Sequence, residues 1–149
     1  MQTNYIEGQS KGVEISADWQ ASRQHRLQAS LRRFAMSIPP TKLDIYTTGG
    51  GSPQWSGSVR WSFNPSNQTE LDLGLRHSGR LTNIAFGQSV PSYNAVDMRW
   101  AWRSSPKTQW ELVGRNLLSG RHQEFISENG DSSAALIGPS LNVGVRLQF

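Results

Sequence analysis

Three histidines, His25, His77 and His122, are the side chains of this sequence best suited to metal binding or proton transfer. They are far apart in the chain, and no carboxylate or cysteine accompanies them at a spacing typical of metal ligands. His77 precedes a serine, but neighbouring residues on a strand point to opposite faces, so the two cannot act as base and nucleophile. We therefore expect no metal site, no cofactor and no enzymatic activity.

Arginines are the other chemically informative residues, and they are spread along the chain instead of being gathered in one run. The formal net charge is +4, and the pI is near 10.0. A nucleic-acid site needs cations clustered on one surface, so no nucleic-acid partner is expected. Five arginines recur at intervals along the chain: Arg32, Arg60, Arg76, Arg99 and Arg146.

The elements around these arginines are predicted to be β-strands, because apolar and polar residues alternate with a period of two. In the last segment, LNVGVRLQF, every odd-numbered residue is apolar and every even-numbered residue is polar or glycine. At Arg33 and Phe34 the alternation changes phase, which predicts a bulge or a strand end. The fold class is predicted to be all-β, an antiparallel meander of about seven long strands. The segments are 12–21, 26–34, 55–63, 70–78, 94–103, 109–117 and 141–149.

The connections between these segments alternate strictly between short and long. Residues 22–25, 64–69 and 104–109 are short and contain turn-forming Pro, Ser and Asn, whereas 37–54, 79–93 and 117–139 are long. Outer-membrane barrels have short periplasmic turns and long external loops. The sequence therefore predicts part of the wall of a transmembrane β-barrel.

Aromatic residues near the strand ends favour the same interpretation, because Trp and Tyr form girdles at both membrane interfaces. A soluble β-sandwich also shows period-two alternation, so it stays open as an alternative. The mean hydropathy is -0.54, and no apolar run reaches the roughly 18 residues of a membrane-spanning helix. The N-terminus shows no signal-peptide pattern. The interface aromatics are predicted to be Trp19, Trp55, Tyr93, Trp102 and Trp110.

Four motifs in order resemble the C-terminal part of a TonB-dependent outer-membrane receptor, and the resemblance covers essentially residues 1–149. By its length the chain is expected to form one domain, the C-terminal part of the receptor barrel without the plug domain. The last strand ends in Phe149, and the last strand of the barrel in this family likewise ends in phenylalanine. The other motifs are Asn4 with Gly12-Val13-Glu14, Val90-Pro91 with Tyr93 before Asp97, and Asn116-Leu117 followed by His122-Gln123-Glu124-Phe125.

The resemblance implies a receptor for active uptake of a scarce nutrient such as an iron-siderophore complex, a metal chelate. Its implied partners are outer-membrane lipid, the barrel-assembly machinery, a plug with the remaining barrel strands and, through that plug, an energy-coupling inner-membrane complex. Members of the family are much larger plugged barrels. The chain is therefore expected to be a fragment, inactive alone, of a longer precursor in the Gram-negative outer membrane. A small independent outer-membrane barrel and a soluble β-sandwich binding module are the alternatives.

The resemblance also gives expected roles to the arginines and to the last residue. The five arginines fall on the polar face, and on a lipid face each would cost about 2–4 kcal/mol at the bilayer midplane. They are therefore expected to face the lumen, where they could contact a ligand, the plug, or the acidic residues of the same face. Phe149 is expected to be part of the barrel-assembly signal. The acidic residues of that face are Glu14, Asp72, Asp97 and Glu111.

Overall fold

The computed structural model describes residues 8–38, 51–84, 88–126 and 135–149. Asn4 and the central parts of the three long connections (39–50, 85–87 and 127–134) lie outside the described residues. No helix within the described ranges is long and apolar enough to cross a membrane. The strands are β1 (Gln9–Gln20), β2 (His25–Ser37), β3 (Trp55–Ser66), β4 (Thr69–Ser78), β5 (Leu81–Ile84), β6 (Gln88–Val90), β7 (Tyr93–Ser105), β8 (Thr108–Arg115), β9 (His122–Gln123), β10 (Leu136–Ile137) and β11 (Ser140–Leu147).

Seven strands form one antiparallel sheet in the order β1-β2-β3-β4-β7-β8-β11, so each long strand pairs with the next one along the chain. The predicted all-β meander is confirmed. The alternation of short and long connections is also confirmed, because tight turns at 67–68 and 106–107 contrast with connections such as 38–54. The other four strands form two small sheets, β5 with β6 and β9 with β10, inside the long connections.

The bulge or strand end expected at Arg33 and Phe34 is wrong. β2 continues to Ser37 in unbroken register with β1, with Val13 opposite Arg33. The guanidinium carbon of Arg33 lies 5.1 Å from the ring centroid of Trp55 on the neighbouring strand. The residue types change here because the strand approaches its end, while the backbone remains regular. In the main sheet the register irregularities occur instead beside the two tight turns, between Phe63 and Ser66 and between Arg103 and Ser105.

The strand register collects most of the apolar side chains of the seven strands on one face, which we call the apolar face. This face is uncovered: the side chains of Val13, Ile15 and Val143 are 64%, 65% and 72% exposed. A sandwich would bury such a face against a second sheet, yet only Val90, Ala95 and Ala101 are buried hydrophobic residues in the described ranges. One row of directly opposed residues runs Trp19, Leu27, Trp61, Leu73, Met98, Gly114 and Leu141.

Candidate ligand-binding face

The opposite side of the main sheet, which we call the polar face, carries all five arginines singled out from the sequence. Period-two alternation requires this, since their neighbours in each strand belong to the apolar face. The register confirms it: Arg60 lies opposite Gln28 and Gly74, and Arg146 lies opposite Gln109. The structure does not bring the five together in one site, so each is described with its own surroundings.

Arg99 is the centre of a four-residue ionic cluster that spans β4, β7 and β8. Its Nη1 donates to Glu70 Oε2 at 2.9 Å and to Asp72 Oδ2 at 3.2 Å. Its Nε donates to Glu111 Oε1 at 2.5 Å. Two of the four acidic residues expected on this face are thus partners of one arginine, and Glu70 is a third partner that the sequence analysis missed. A guanidinium held by three carboxylates favours a structural role over ligand contact.

Arg76 fixes the segment after β8 against the sheet. Its Nη1 donates to the hydroxyl oxygen of Tyr93 at 3.1 Å, and its Nη2 lies 3.4 Å from Glu124 Oε1. His122 contacts both groups, because its Nε2 lies 3.0 Å from Glu124 Oε1 and its ring stacks on Tyr93 with centroids 4.3 Å apart. These residues join the strand wall to the receptor-like motif His122–Phe125.

The structure places Tyr93 differently from the expectation that it lies with the interface aromatics. Tyr93 lies opposite Ser78, Ser78 lies opposite Ser56, and Ser56 lies opposite Arg32. Directly opposed residues share a face, so all four belong to the polar face. In β7 the even-numbered residues lie on the apolar face, and residue 93 is odd-numbered, so it points to the other side. Tyr93 is therefore a polar-face residue that contacts Arg76.

A polar depression with a volume of about 780 Å³ lies on this face and collects Arg60, Arg76 and Arg99. It is also lined by Arg115, which the sequence analysis did not select. The parity of β8 would have found it, since Arg115 shares odd numbering with Glu111. Within the described residues, Arg60 and Arg115 are the lining arginines with no ion pair. Their guanidinium groups are the ones that could bind an anionic ligand, preferably bidentately.

The remaining two arginines lie apart from this depression. Arg32 lines a smaller one of about 410 Å³, and its guanidinium carbon is 6.0 Å from the ring centroid of Phe34. Arg146 lies at the short-turn end of the sheet, where it lines a third depression together with Arg103 and Lys107. The expected acidic partner Asp97 accepts a hydrogen bond from the backbone N–H of Asn116 at 3.0 Å and forms no ion pair with an arginine of the described residues.

The other four predicted interface aromatics lie on the apolar face. Trp102 and Trp110 are directly opposite each other at the short-turn end, which Trp19 also occupies, and Trp55 lies at the end with the long connections. A further aromatic group at the short-turn end was not predicted from the sequence. There His25 stacks on Phe63 with centroids 4.5 Å apart, and the indole Nε1 of Trp61 donates to His25 Nδ1 at 3.2 Å.

The last residue, Phe149, projects beyond β11 with its side chain fully exposed. The chain end is held by a hydrogen bond from the backbone N–H of Gln148 to the carbonyl oxygen of Lys107 at 2.9 Å.

The three histidines lie in separate surroundings, and the side chain of His77 forms a hydrogen bond with that of Asn94 at 2.8 Å. In the part of the chain that the structure describes, no three His, Asp or Glu residues are grouped as a metal site would need.

The architecture as a whole defines the class of fold. An antiparallel meander with an uncovered apolar face, a charged opposite face and alternating connection lengths is part of the wall of a transmembrane β-barrel. The sequence itself matches no protein-family model and no curated protein.

Solved structures contain the same fold. The ferric-catecholate import receptor Fiu of E. coli K12 superposes with a TM-score of 0.75 at 16% identity, over 99% of this chain and 22% of the receptor. The siderophore receptor PiuA of Acinetobacter baumannii gives 0.72 at 15% identity, over 95% of this chain and 22% of that one. FpvAI, solved in complex with pyocin S2, gives 0.74 at 17% identity, over 97% and 20%. The chain spans about a fifth of these proteins and has the fold of a segment of their barrel walls.

Proposed function

We propose that this chain is a wall segment of a TonB-dependent outer-membrane receptor that imports a scarce nutrient such as an iron-siderophore complex. The observation that carries the proposal is the separation of the seven-stranded sheet into an uncovered apolar face and a charged face. The similar solved structures, which are siderophore receptors, support it. In this proposal the apolar face contacts lipid and the polar face lines the lumen.

Ligand contact is assigned to the two arginines of the large depression that have no ion pair in the described residues, Arg60 and Arg115. A metal chelate with anionic oxygens presents the planar acceptor pairs that a guanidinium binds well. Arg76 and Arg99 hold the wall and the segment after β8 in place, so they act on the ligand only through the shape of the lumen.

The outer strands supply the argument for the remaining partners. β1 and β11 each pair on one side only within the described part of the chain. Open strand edges are not tolerated in hydrocarbon, so the receptor needs further strands on both sides. A plug, an energy-coupling inner-membrane complex and the barrel-assembly machinery complete the proposed set of partners. Uptake is a property of that assembly, and this segment alone is proposed to be inactive.

The membrane orientation of the two faces is tested by adjacent substitutions in β11. Val143→Arg introduces a charge on the apolar face, and Asn142→Arg introduces the same charge on the polar face. In the complete receptor reconstituted in lipid vesicles, Val143→Arg should lower the free energy of unfolding by about 2–4 kcal/mol, whereas Asn142→Arg should change it little. Equal tolerance of both substitutions would contradict the proposed placement in a membrane.

The ligand role has its own test in cells that produce the complete receptor. Replacing both Arg60 and Arg115 with Gln should reduce uptake of radioactive ferric chelate at an unchanged amount of receptor in the outer membrane. Replacing Arg103, which lies outside the large depression, with Gln is the matched control. Full uptake by the double variant would show that Arg60 and Arg115 do not bind the ligand.

A further inference from the structure

The apolar face of the main sheet carries two ionic side chains in the described strands, Lys11 and Arg33, and no carboxylate. Lys11 lies opposite Ala35, and Arg33 lies opposite Val13 on one side and Trp55 on the other. Lys11 and Arg33 are therefore diagonal neighbours on adjacent strands, with Cα atoms about 7–8 Å apart. Both side chains are exposed. Every other lysine, arginine and acidic residue of these strands is on the polar face or in a turn.

Both cations lie at the same end of the apolar face, the end with the long connections. Lys11 is near the start of β1 and Arg33 is near the end of β2. The opposite end of this face is aromatic, with the stack of His25, Trp61 and Phe63 and with the Trp102–Trp110 pair. The two boundaries of the apolar face therefore differ in charge.

The arrangement of the two cations suits a phosphate group. Arg33 is held over the ring of Trp55, its guanidinium carbon 5.1 Å from the centroid, which orients the group at low entropic cost. A guanidinium offers two parallel donors to a phosphate, and an ammonium adds a point charge. Because no carboxylate of this face in the described strands neutralises them, the two cations repel each other until an anion binds. An arginine on the lipid side costs only about 0–1 kcal/mol near the interface, so this position is compatible with a headgroup layer.

We propose that Lys11 and Arg33 bind a phosphate of a phosphorylated lipid headgroup at the external boundary of the membrane. The proposal rests on the proposed function, which makes the apolar face a lipid contact and the long connections external. In a Gram-negative outer membrane the external lipid with this chemistry is a phosphorylated glycolipid. Trp55 positions Arg33, and the acyl chains of the lipid cover the apolar strip formed by Val13, Ile15 and Leu31.

The test uses the complete receptor in micelles of a non-ionic detergent, with its β-sheet content followed by far-ultraviolet circular dichroism. Binding of diphosphorylated lipid A and of enzymatically dephosphorylated lipid A is measured by native mass spectrometry. We expect the phosphorylated form to bind more tightly, and an excess of inorganic phosphate to leave it bound. Lys11→Gln with Arg33→Gln should weaken binding by at least about tenfold, because two charge-assisted contacts are lost.

The matched control is Arg103→Gln with Lys107→Gln, which removes the same charge at the other end of the sheet and should leave the affinity unchanged. Lys11→Arg should also retain binding. If the double variant at Lys11 and Arg33 fails to fold, the single Lys11→Gln variant, which keeps the Arg33–Trp55 contact, should still show part of the loss.

The outcomes separate this inference from the proposed function. Equal binding of the two lipid A forms, or equal losses in both double variants, would overturn the phosphate site and leave the membrane wall standing. Displacement by inorganic phosphate would show a site for free anions and would likewise overturn it. Equal tolerance of Val143→Arg and Asn142→Arg, in contrast, would overturn both proposals together, because the apolar face would then not contact lipid.

Discussion

Arg99 and Asp72 lie directly opposite each other on neighbouring strands of the polar face, with Nη1 of Arg99 3.2 Å from Oδ2 of Asp72. The hydroxyl of Ser62 donates to the other oxygen of Asp72 at 2.5 Å. Glu111 holds the same guanidinium from the next strand. One side chain therefore cross-links three strands on the face where apolar packing contributes little.

Replacing Arg99 with Met should destabilise the sheet, because Glu70, Asp72 and Glu111 would then face one another without a cation. The side chain of Arg99 is 32% exposed, so solvent screens the cluster and we expect a loss of about 1–2 kcal/mol in the free energy of unfolding. The measurement is the urea midpoint in detergent. Arg146→Met, at an arginine of the same face with no ion pair in the described residues, is the control and should change the midpoint much less.

An unchanged midpoint in Arg99→Met would show that the cluster contributes no net stability. Arg99→Lys gives a further check, because lysine keeps the charge but cannot donate in two fixed directions. Its midpoint should therefore lie between those of the wild type and Arg99→Met.

The faces and order of the long strands could be predicted from the sequence because period-two alternation is a property of the extended backbone. Partners were harder to predict. Asp72 and Glu111 were expected on the shared face, and the parity of β4 would have added Glu70, but which carboxylates contact Arg99 depends on the register between strands. Tyr93 was assigned from its nearness to a strand end alone, and its parity in β7 already placed it on the other face.

The long connections could not be predicted to the same degree. β5, β6, β9 and β10 are two to four residues long, too short to show a periodicity. The contact of the segment at His122–Glu124 with Arg76 and Tyr93 joins residues that are far apart in the chain. Such contacts depend on tertiary packing, for which a local sequence pattern carries no signal.

The backbone conformation of Asn116 leads to a testable prediction. It has a φ of 55°, the one positive value at a non-glycine residue of the described ranges. The backbone N–H of Asn116 donates to Asp97 Oδ1 at 3.0 Å, and the residue is buried. Asn116→Gly should be tolerated, whereas Asn116→Val should cost about 1–2 kcal/mol, because a β-branched residue strains this left-handed conformation.

The comparison of these two variants by urea unfolding isolates the backbone effect, since both remove the amide side chain. If Asn116→Gly and Asn116→Val lose the same stability, the side chain matters and the left-handed backbone does not.

The connection lengths predict which residues are accessible from outside the cell. The chain contains no cysteine, so an introduced cysteine is unique within these residues, and the receptor without it gives the background labelling. In cells with the complete receptor, a membrane-impermeant thiol reagent should label cysteines at Ser52 and at Ser132, which lies outside the described residues. It should not label cysteines at Ser66 or Ser105, which are next to the tight turns. Labelling of the second pair only would reverse the proposed orientation.

Phe149 provides the last prediction. Its side chain is fully exposed and lies past the end of β11, so it packs in no core of the described structure. It follows the odd-numbered apolar residues of that strand at the short-turn end, where an aromatic ring suits a membrane interface. The resemblance to the receptor family implies a further role, in recognition by the barrel-assembly machinery.

In the complete receptor, we expect deletion of Phe149 or Phe149→Asp to lower the amount of heat-modifiable protein in the outer membrane, and Phe149→Tyr to be tolerated. Leu147→Ala, two residues earlier on the same face, controls for a general loss of apolar surface. Because an exposed ring adds little to folding stability, the urea midpoint of folded protein should be similar in all variants. Wild-type amounts of the deletion variant in the outer membrane would contradict both roles of this residue.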